Sequence, residues 1–230
     1  LIINIKETNS LLLNQEHKTD RLEKVTVLFD SLGIRPFTKI TSIPSYNSNH
    51  DIAINESTTL THKFAINSGV LPFIVYEDDI NINPDAKSFL LEIPDNTDVV
   101  YLGVNRCGMF CKDRCSYYSG ARFEYYNDVI SRVIETFCAH AILYITQKAV
   151  DIANRGFEIS LKTGEPNDVC TSKLFSEGEV FAMNIPLFYQ DDGAMRIRQT
   201  LFNVSDYMGR PNLCVDHCPR KRGARWYDKI

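Results

Sequence analysis

The sequence predicts an α/β fold in which a mostly parallel sheet carries helices on both faces. Three observations predict it: apolar runs of strand length recur along the chain, segments of helical periodicity separate them, and glycines or clusters of Ser, Asn and Asp punctuate the boundaries. With 230 residues, 44% hydrophobic and 23% charged, the chain can bury a sizeable core as one domain.

The elements follow in order. Leu1 to Ile5 suits an interior strand. Leu22, Val25, Leu28, Phe29 and Leu32 then recur at helical spacing, and Gly33 supplies the stop. Ile34 to Ile43 reads as extended, and Pro44 to Asn55, crowded with Ser, Asn and Asp, reads as a loop. A helix is expected from Ser57 to Ser68, closed by Gly69. Leu71 to Tyr76 is the clearest strand, a short apolar run between a glycine and an acidic cluster. Asp98 to Gly103 is a second buried strand, and residues 104–126, rich in Cys, Gly and Tyr, read as an insertion without periodicity. Ala141 to Ile145 is another strand, followed by a helix capped by Thr146 and ending near Arg155 before Gly156. A further helix begins near Asn167 and Asp168, and a strand spans Val180 to Ile185.

The formal charge of −4 is unevenly spread. Residues 196–230 hold eight Lys or Arg against three Asp or Glu, a net +5, which leaves −9 for the remainder. The expected organisation is therefore a domain over 1–195 with a basic extension over 196–230. No run approaches the roughly 20 apolar residues that cross a bilayer, and the opening residues are too short for a signal-peptide core. A soluble, cytoplasmic protein with reduced thiols is the expectation.

Function points to Glu77-Asp78-Asp79. Ligands of open α/β sheets settle at the carboxyl ends of strands, and these three carboxylates close the clearest strand. Adjacent carboxylates repel one another unless a cation or hydrogen-bond donors compensate. Mg²⁺ or Mn²⁺ prefers oxygen ligands and binds one or two carboxylates together with substrate phosphates. Strand alternation would turn Glu77 and Asp79 to one side and Asp78 to the other. The alternative is an acidic start to a solvated loop.

An apolar strand ending in Glu-Asp-Asp, here Phe73-Ile74-Val75-Tyr76-Glu77-Asp78-Asp79-Ile80, resembles the marker of glycosyltransferase family 25, which includes lipooligosaccharide sugar transferases and collagen galactosyltransferases. Ile3-Asn4-Ile5 with Lys18-Thr19-Asp20-Arg21, Leu60-Thr61-His62, Asp98 to Gly103, Ala141 to Thr146, Asn167-Asp168 and Pro186 to Gln190 follow in the family's order. The resemblance spans roughly residues 1–192; it departs at Thr61, where the family has Ser, and in the Cys-rich insertion. It implies a GT-A-like, Rossmann-like fold and transfer of a sugar from a nucleotide-diphosphate sugar, with a UDP-sugar expected, to a hydroxyl acceptor with inversion. Asn4, Arg21, His62, Glu77 and Asp78 would meet the donor, while Asp79 and Glu77, with His217 from the C-terminal segment, would hold Mn²⁺ or Mg²⁺. Asp168 is the candidate base, with Asp191 in reserve; a helix N-cap is the other role open to Asp168, and a packed histidine the other role open to His62.

Cys107, Cys111 and Cys115, with Cys214, His217 and Cys218, leave room for a structural Zn²⁺ as well as for plain buried thiols. Arg220 to Tyr227 mixes basic and aromatic residues, which suits either packing on the body or a nucleic-acid acceptor such as hydroxymethylated cytosine in phage DNA. A glycan or lipooligosaccharide is the other acceptor class. A non-enzymatic zinc and nucleic-acid binding module is the competing reading, and it explains neither the strand and helix order nor the acidic cluster.

Overall fold

A computed structural model describes residues 1–34, 37–104 and 122–190. The chain runs β1 (Ile2–Asn4), β2 (Asn9–Asn14), α1 (Thr19–Leu32), β3 (Phe37–Thr41), α2 (His50–Ser68), β4 (Phe73–Glu77), β5 (Ile80–Ile82), β6 (Leu90–Glu92), β7 (Val99–Tyr101), β8 (Arg122–Tyr125), β9 (Ile130–Glu135), β10 (Ala141–Tyr144), α3 (Gln147–Thr163), α4 (Asn167–Ser172), β11 (Val180–Met183) and β12 (Phe188–Gln190). Eight strands form one sheet in the order β3-β2-β4-β10-β7-β11-β9-β8. Two small pairs, β1 with β6 and β12 with β5, flank it.

The sheet is mixed, which corrects the expectation of a mostly parallel one. β2 is parallel to both β3 and β4, and β7 is parallel to β11, but β10 runs antiparallel between β4 and β7, and β9 antiparallel between β11 and β8. Apolar periodicity reports burial and carries no strand direction. Helices do lie on both faces. Phe73 and Val75 of β4 pack with Ala65, Ile66, Ala149, Ala153 and Phe157 of α2 and α3, while Ile74 and Tyr76 pack with Val25 and Phe29 of α1. That alternation makes β4 an interior strand on both sides, and explains its unbroken apolar run.

Three boundaries moved, each for a local reason. Leu1 to Ile5 is not an interior strand: β1 pairs only with β6 among the described residues, Leu1 and Ile2 are 47% and 71% exposed, and Ile3 and Ile5 are buried. The interior position belongs to β2, a Leu11-Leu12-Leu13 run bounded by asparagine at Asn9 and Asn14, which lacks the β-branched residues that signal a strand. The supposed loop ending at Asn55 becomes helix from His50, with the Asn49 side chain accepting from the Ile52 N–H, so that polar residues there cap a helix instead of breaking one.

Gly33 ends α1 in the left-handed region as expected, at φ 71°. Gly156 does not end α3, which runs on to Gly164 at φ 75°. A Cβ at Gly156 would lie 2.4 Å from Thr171 Oγ1 and 2.7 Å from Thr171 Cα, so its lack of a side chain lets α4 pack against α3. Thr146 caps α3 as expected, its side chain accepting from the Ala149 N–H. No helix among the described residues is long and apolar enough to cross a membrane. Most of the insertion (residues 105–121) and the basic extension, with the boundary at 195, lie outside the described residues.

Candidate active site

Parallel pairing aligns the carboxyl ends of β3, β2 and β4: Asn14 stands beside Thr41, and Leu13 beside Glu77. A cleft opens there, lined by Asn14, Arg21, Ser42, His62 and the three carboxylates of Glu77, Asp78 and Asp79. Its floor is the sheet edge, and its walls come from α1 and α2 on opposite faces.

The alternation expected for the three carboxylates stops at Glu77, because the strand stops there and Asp78 and Asp79 form the turn into β5. Asp78 turns toward β2 and α1. Its Oδ2 accepts from Asn14 Nδ2 at 2.7 Å and its Oδ1 from Arg21 Nη1 at 3.2 Å. The same Nη1 lies 3.4 Å from Asp79 Oδ2, which also accepts from Gln190 Nε2 at 3.1 Å. Arg21 thus couples Asp78 with Asp79, and β12 reaches the site through Gln190.

Glu77 faces the other wall. His62, 3% exposed, donates Nδ1–H to the Thr58 carbonyl one turn earlier at 2.9 Å, which leaves Nε2 as a lone-pair acceptor 3.5 Å from Glu77 Oε1. Burial holds the His62 pKa below the usual range, so the imidazole is neutral at pH 7 and the contact with Glu77 is no ion pair. The Glu77 pKa is raised well above the usual carboxylate range, first by burial, then by the charges of Asp79, Asp168 and Asp78, with Arg21 offsetting part of the rise. Crowded negative charge is therefore the dominant electrostatic feature of the cleft.

Asp168 lies in the first turn of α4, which packs on α3 and α2. Its Oδ1 accepts from the Val169 N–H at 2.8 Å, so it does part of the helix-start work weighed from the sequence, although Pro166 occupies the N-cap position. Burial raises its pKa, and it is near enough for its charge to act on both Glu77 and Tyr101. Asp168 does not line the cleft directly; it reaches Glu77 from the face that carries α3, opposite Arg21 on α1.

Arg21, His62, Glu77, Asp78 and Asp79 are thus brought together at one cleft. Asn4 is not among them: it sits in β1, its side chain accepting from the Lys6 N–H and its carbonyl from Thr8. The strand paired with β4 in that place is β2, and the asparagine that meets the acidic cluster is Asn14. Asp191, His217 and the cysteines Cys107, Cys111, Cys115, Cys214 and Cys218 lie outside the described residues. Sequence reasoning missed Asn14 because it missed β2, and it gave no role to Ser42, which follows β3, or to Gln190.

Among the described residues no group of three His, Cys, Asp or Glu side chains gathers closely enough to hold a metal ion alone. The donor set still fits a hard divalent cation. Asp79 and Glu77 offer oxygen ligands, and the Glu77 pKa is raised first by burial and then by neighbouring carboxylates whose effect Arg21 only partly offsets. Such a cation takes its remaining ligands from substrate phosphates.

No family model matches the chain, and no curated protein matches it in sequence. Among solved structures it is similar to a glycosyltransferase involved in the glycosylation of the major capsid of PBCV-1, at 10% identity and TM-score 0.40 over 68% of each chain. It is similar to a mutant of Drosophila beta-1,4-galactosyltransferase 7 in complex with manganese, UDP-Gal and xylobiose, at 12% identity and TM-score 0.41 over 92% of this chain and 81% of that one. A third is the inositol-1-phosphate CTP transferase from T. maritima, at 11% identity and TM-score 0.44 over 90% of this chain and 96% of that one. At TM-scores this low the likenesses carry no activity across to this chain.

Proposed function

We propose that the protein is a metal-dependent glycosyltransferase of the GT-A type, similar to family 25, which moves a sugar from a nucleotide-diphosphate sugar to a hydroxyl acceptor with inversion. The observation that carries this reading is the convergence of Glu77, Asp78 and Asp79 on a cleft at the carboxyl end of β4, with Arg21 on one wall and Asp168 behind Glu77. The cleft has a volume of about 170 Å³, below the roughly 300–1,000 Å³ of typical small-molecule pockets, so its described walls account for one end of a nucleotide sugar.

Mn²⁺ or Mg²⁺ held by Asp79 and Glu77 would neutralise charge on the departing diphosphate. Around it, the chain's own residues divide the work. Asp78, fixed by Asn14 and Arg21, is oriented for the ribose or sugar hydroxyls of a UDP-sugar. His62, neutral and tied to Thr58, shapes the wall beside Glu77 without adding charge. Asp168, which stands behind Glu77 and not on the cleft wall, is the base we assign to the acceptor proton, which would reach it past Glu77; burial raises its pKa toward the operating range of a base. Asp191 is the reserve base. The acceptor is a glycan or lipooligosaccharide, or hydroxymethylcytosine in phage DNA.

A screen of nucleotide sugars for released nucleoside diphosphate tests the class and the donor together. Hydrolysis of one preferred donor, dependent on Mn²⁺ or Mg²⁺, is expected; release from none of the common donors removes the proposal. Asp168→Asn is expected to lower transfer by about 100-fold or more while preserving donor affinity, a factor typical of a lost general base. Retained turnover would move that role to Asp191.

A further inference from the structure

Arg21 is the one Lys or Arg among the described residues that line the cleft, and it bridges the two carboxylates of the acidic turn. A single Nη1 serves both Asp78 Oδ1 at 3.2 Å and Asp79 Oδ2 at 3.4 Å. These distances are long for charge-assisted hydrogen bonds, and one nitrogen is shared between the two carboxylates. The Arg21 side chain is 37% exposed, whereas those of Asp78 and Asp79 are 9% and 11% exposed. The guanidinium is thus the most exposed member of the trio, and the two carboxylates are the buried ones.

We propose that Arg21 is a built-in counter-cation that competes with the divalent metal for Asp79 and transfers to the donor diphosphate when the metal binds. The inference rests on the glycosyltransferase reading and adds a sequence of contacts to it. A divalent cation on Asp79 would be brought within a few ångströms of the guanidinium, and like charges at that range repel strongly in a partly buried cleft. Asp79 keeps Gln190 Nε2 as a donor at 3.1 Å, so releasing Arg21 does not strip the carboxylate of all its partners. Asp78 likewise keeps Asn14 Nδ2 at 2.7 Å. The released guanidinium, on the first turn of α1, has a long flexible side chain and a planar fork suited to phosphate oxygens.

Displacement predicts opposite changes in two affinities from one substitution. Mn²⁺ alone is titrated against the full chain and followed by loss of the free-ion electron paramagnetic resonance signal; nucleoside diphosphate binding is then measured by calorimetry at saturating Mn²⁺. Arg21→Gln is expected to tighten Mn²⁺ about 5-fold or more and to weaken the diphosphate about 10-fold. Arg21→Lys, which keeps the charge and loses the fork, is expected to bind Mn²⁺ as the parent does and the diphosphate with intermediate affinity. Unchanged Mn²⁺ affinity in Arg21→Gln, or weakening of both ligands together, overturns the competition. Absence of Mn²⁺ binding and of diphosphate binding in the parent chain would instead remove the underlying glycosyltransferase reading.

Discussion

Glu77 is placed at a cost. It is 24% exposed at its side chain, faces three other carboxylates, and has as its nearest wall a neutral histidine that can only accept a hydrogen. Replacing it with Gln removes the cost of burying a charge and the repulsion that adds to it, so Glu77→Gln is expected to gain on the order of 1 kcal/mol of stability while weakening cation and donor binding, the usual exchange at a functional site. Thermal melting and donor titration of the same variant check both halves; a loss of stability would contradict the electrostatic account.

His140 is a second residue under tension. It is buried beside Gly103, where a Cβ would lie 2.3 Å from its Nε2, and burial pushes its pKa down to about 4, with the Phe188 backbone acting in the other direction. The unfolded chain takes up this proton near pH 6.5 and the folded chain only near pH 4. Stability from His140 is thus complete above about pH 6.5 and falls by ~3 kcal/mol as pH drops toward 4. Urea denaturation at pH 7 and pH 4.5 is expected to show this loss, and His140→Asn to remove about one proton's worth of slope. An unchanged slope would place the acid sensitivity elsewhere.

At the scale of elements, what reads well from the sequence is what local chemistry sets. Gly33 after α1, Thr146 before α3 and the apolar run of β4 each have a single physical meaning, and the fold keeps all three. Gly156 reads as a helix stop, and only the approach of Thr171 from α4 shows it to be a close-packing position instead. The leucines of β2 lack a β-branched signature, and their place between β3 and β4 comes from partners distant in the sequence. That loss hid Asn14, and with it the residue that fixes Asp78.

Thr146 offers the element-scale test. Its hydroxyl caps α3 through the Ala149 N–H and donates to buried Asp98 at 2.5 Å, joining the start of β7 to the start of α3. Thr146→Ala is expected to cost about 2 kcal/mol, the upper range for a helix cap, and to lower Tm by several degrees. A change within half a kcal/mol would show that Lys148 and the Glu179 N–H, which also hold Asp98, carry that junction without it.

For the whole molecule, the mixed sheet does one thing for function: it sets the parallel ends of β3, β2 and β4 side by side and brings β12 back to the acidic turn. α1 and α2 then supply Arg21 and His62 from opposite faces. The acidic turn was legible because one uninterrupted strand leads into it; the pairing of Asp78 with Asn14 and the mixed order of the strands depend on long-range topology that periodicity does not encode.

The most direct test of the central claim is nucleotide-sugar binding followed by calorimetry, in the presence and in the absence of Mn²⁺. The account predicts binding that strengthens at least 10-fold with the cation and is lost in Asp79→Asn. Equal affinity with and without Mn²⁺ in the parent chain would contradict it.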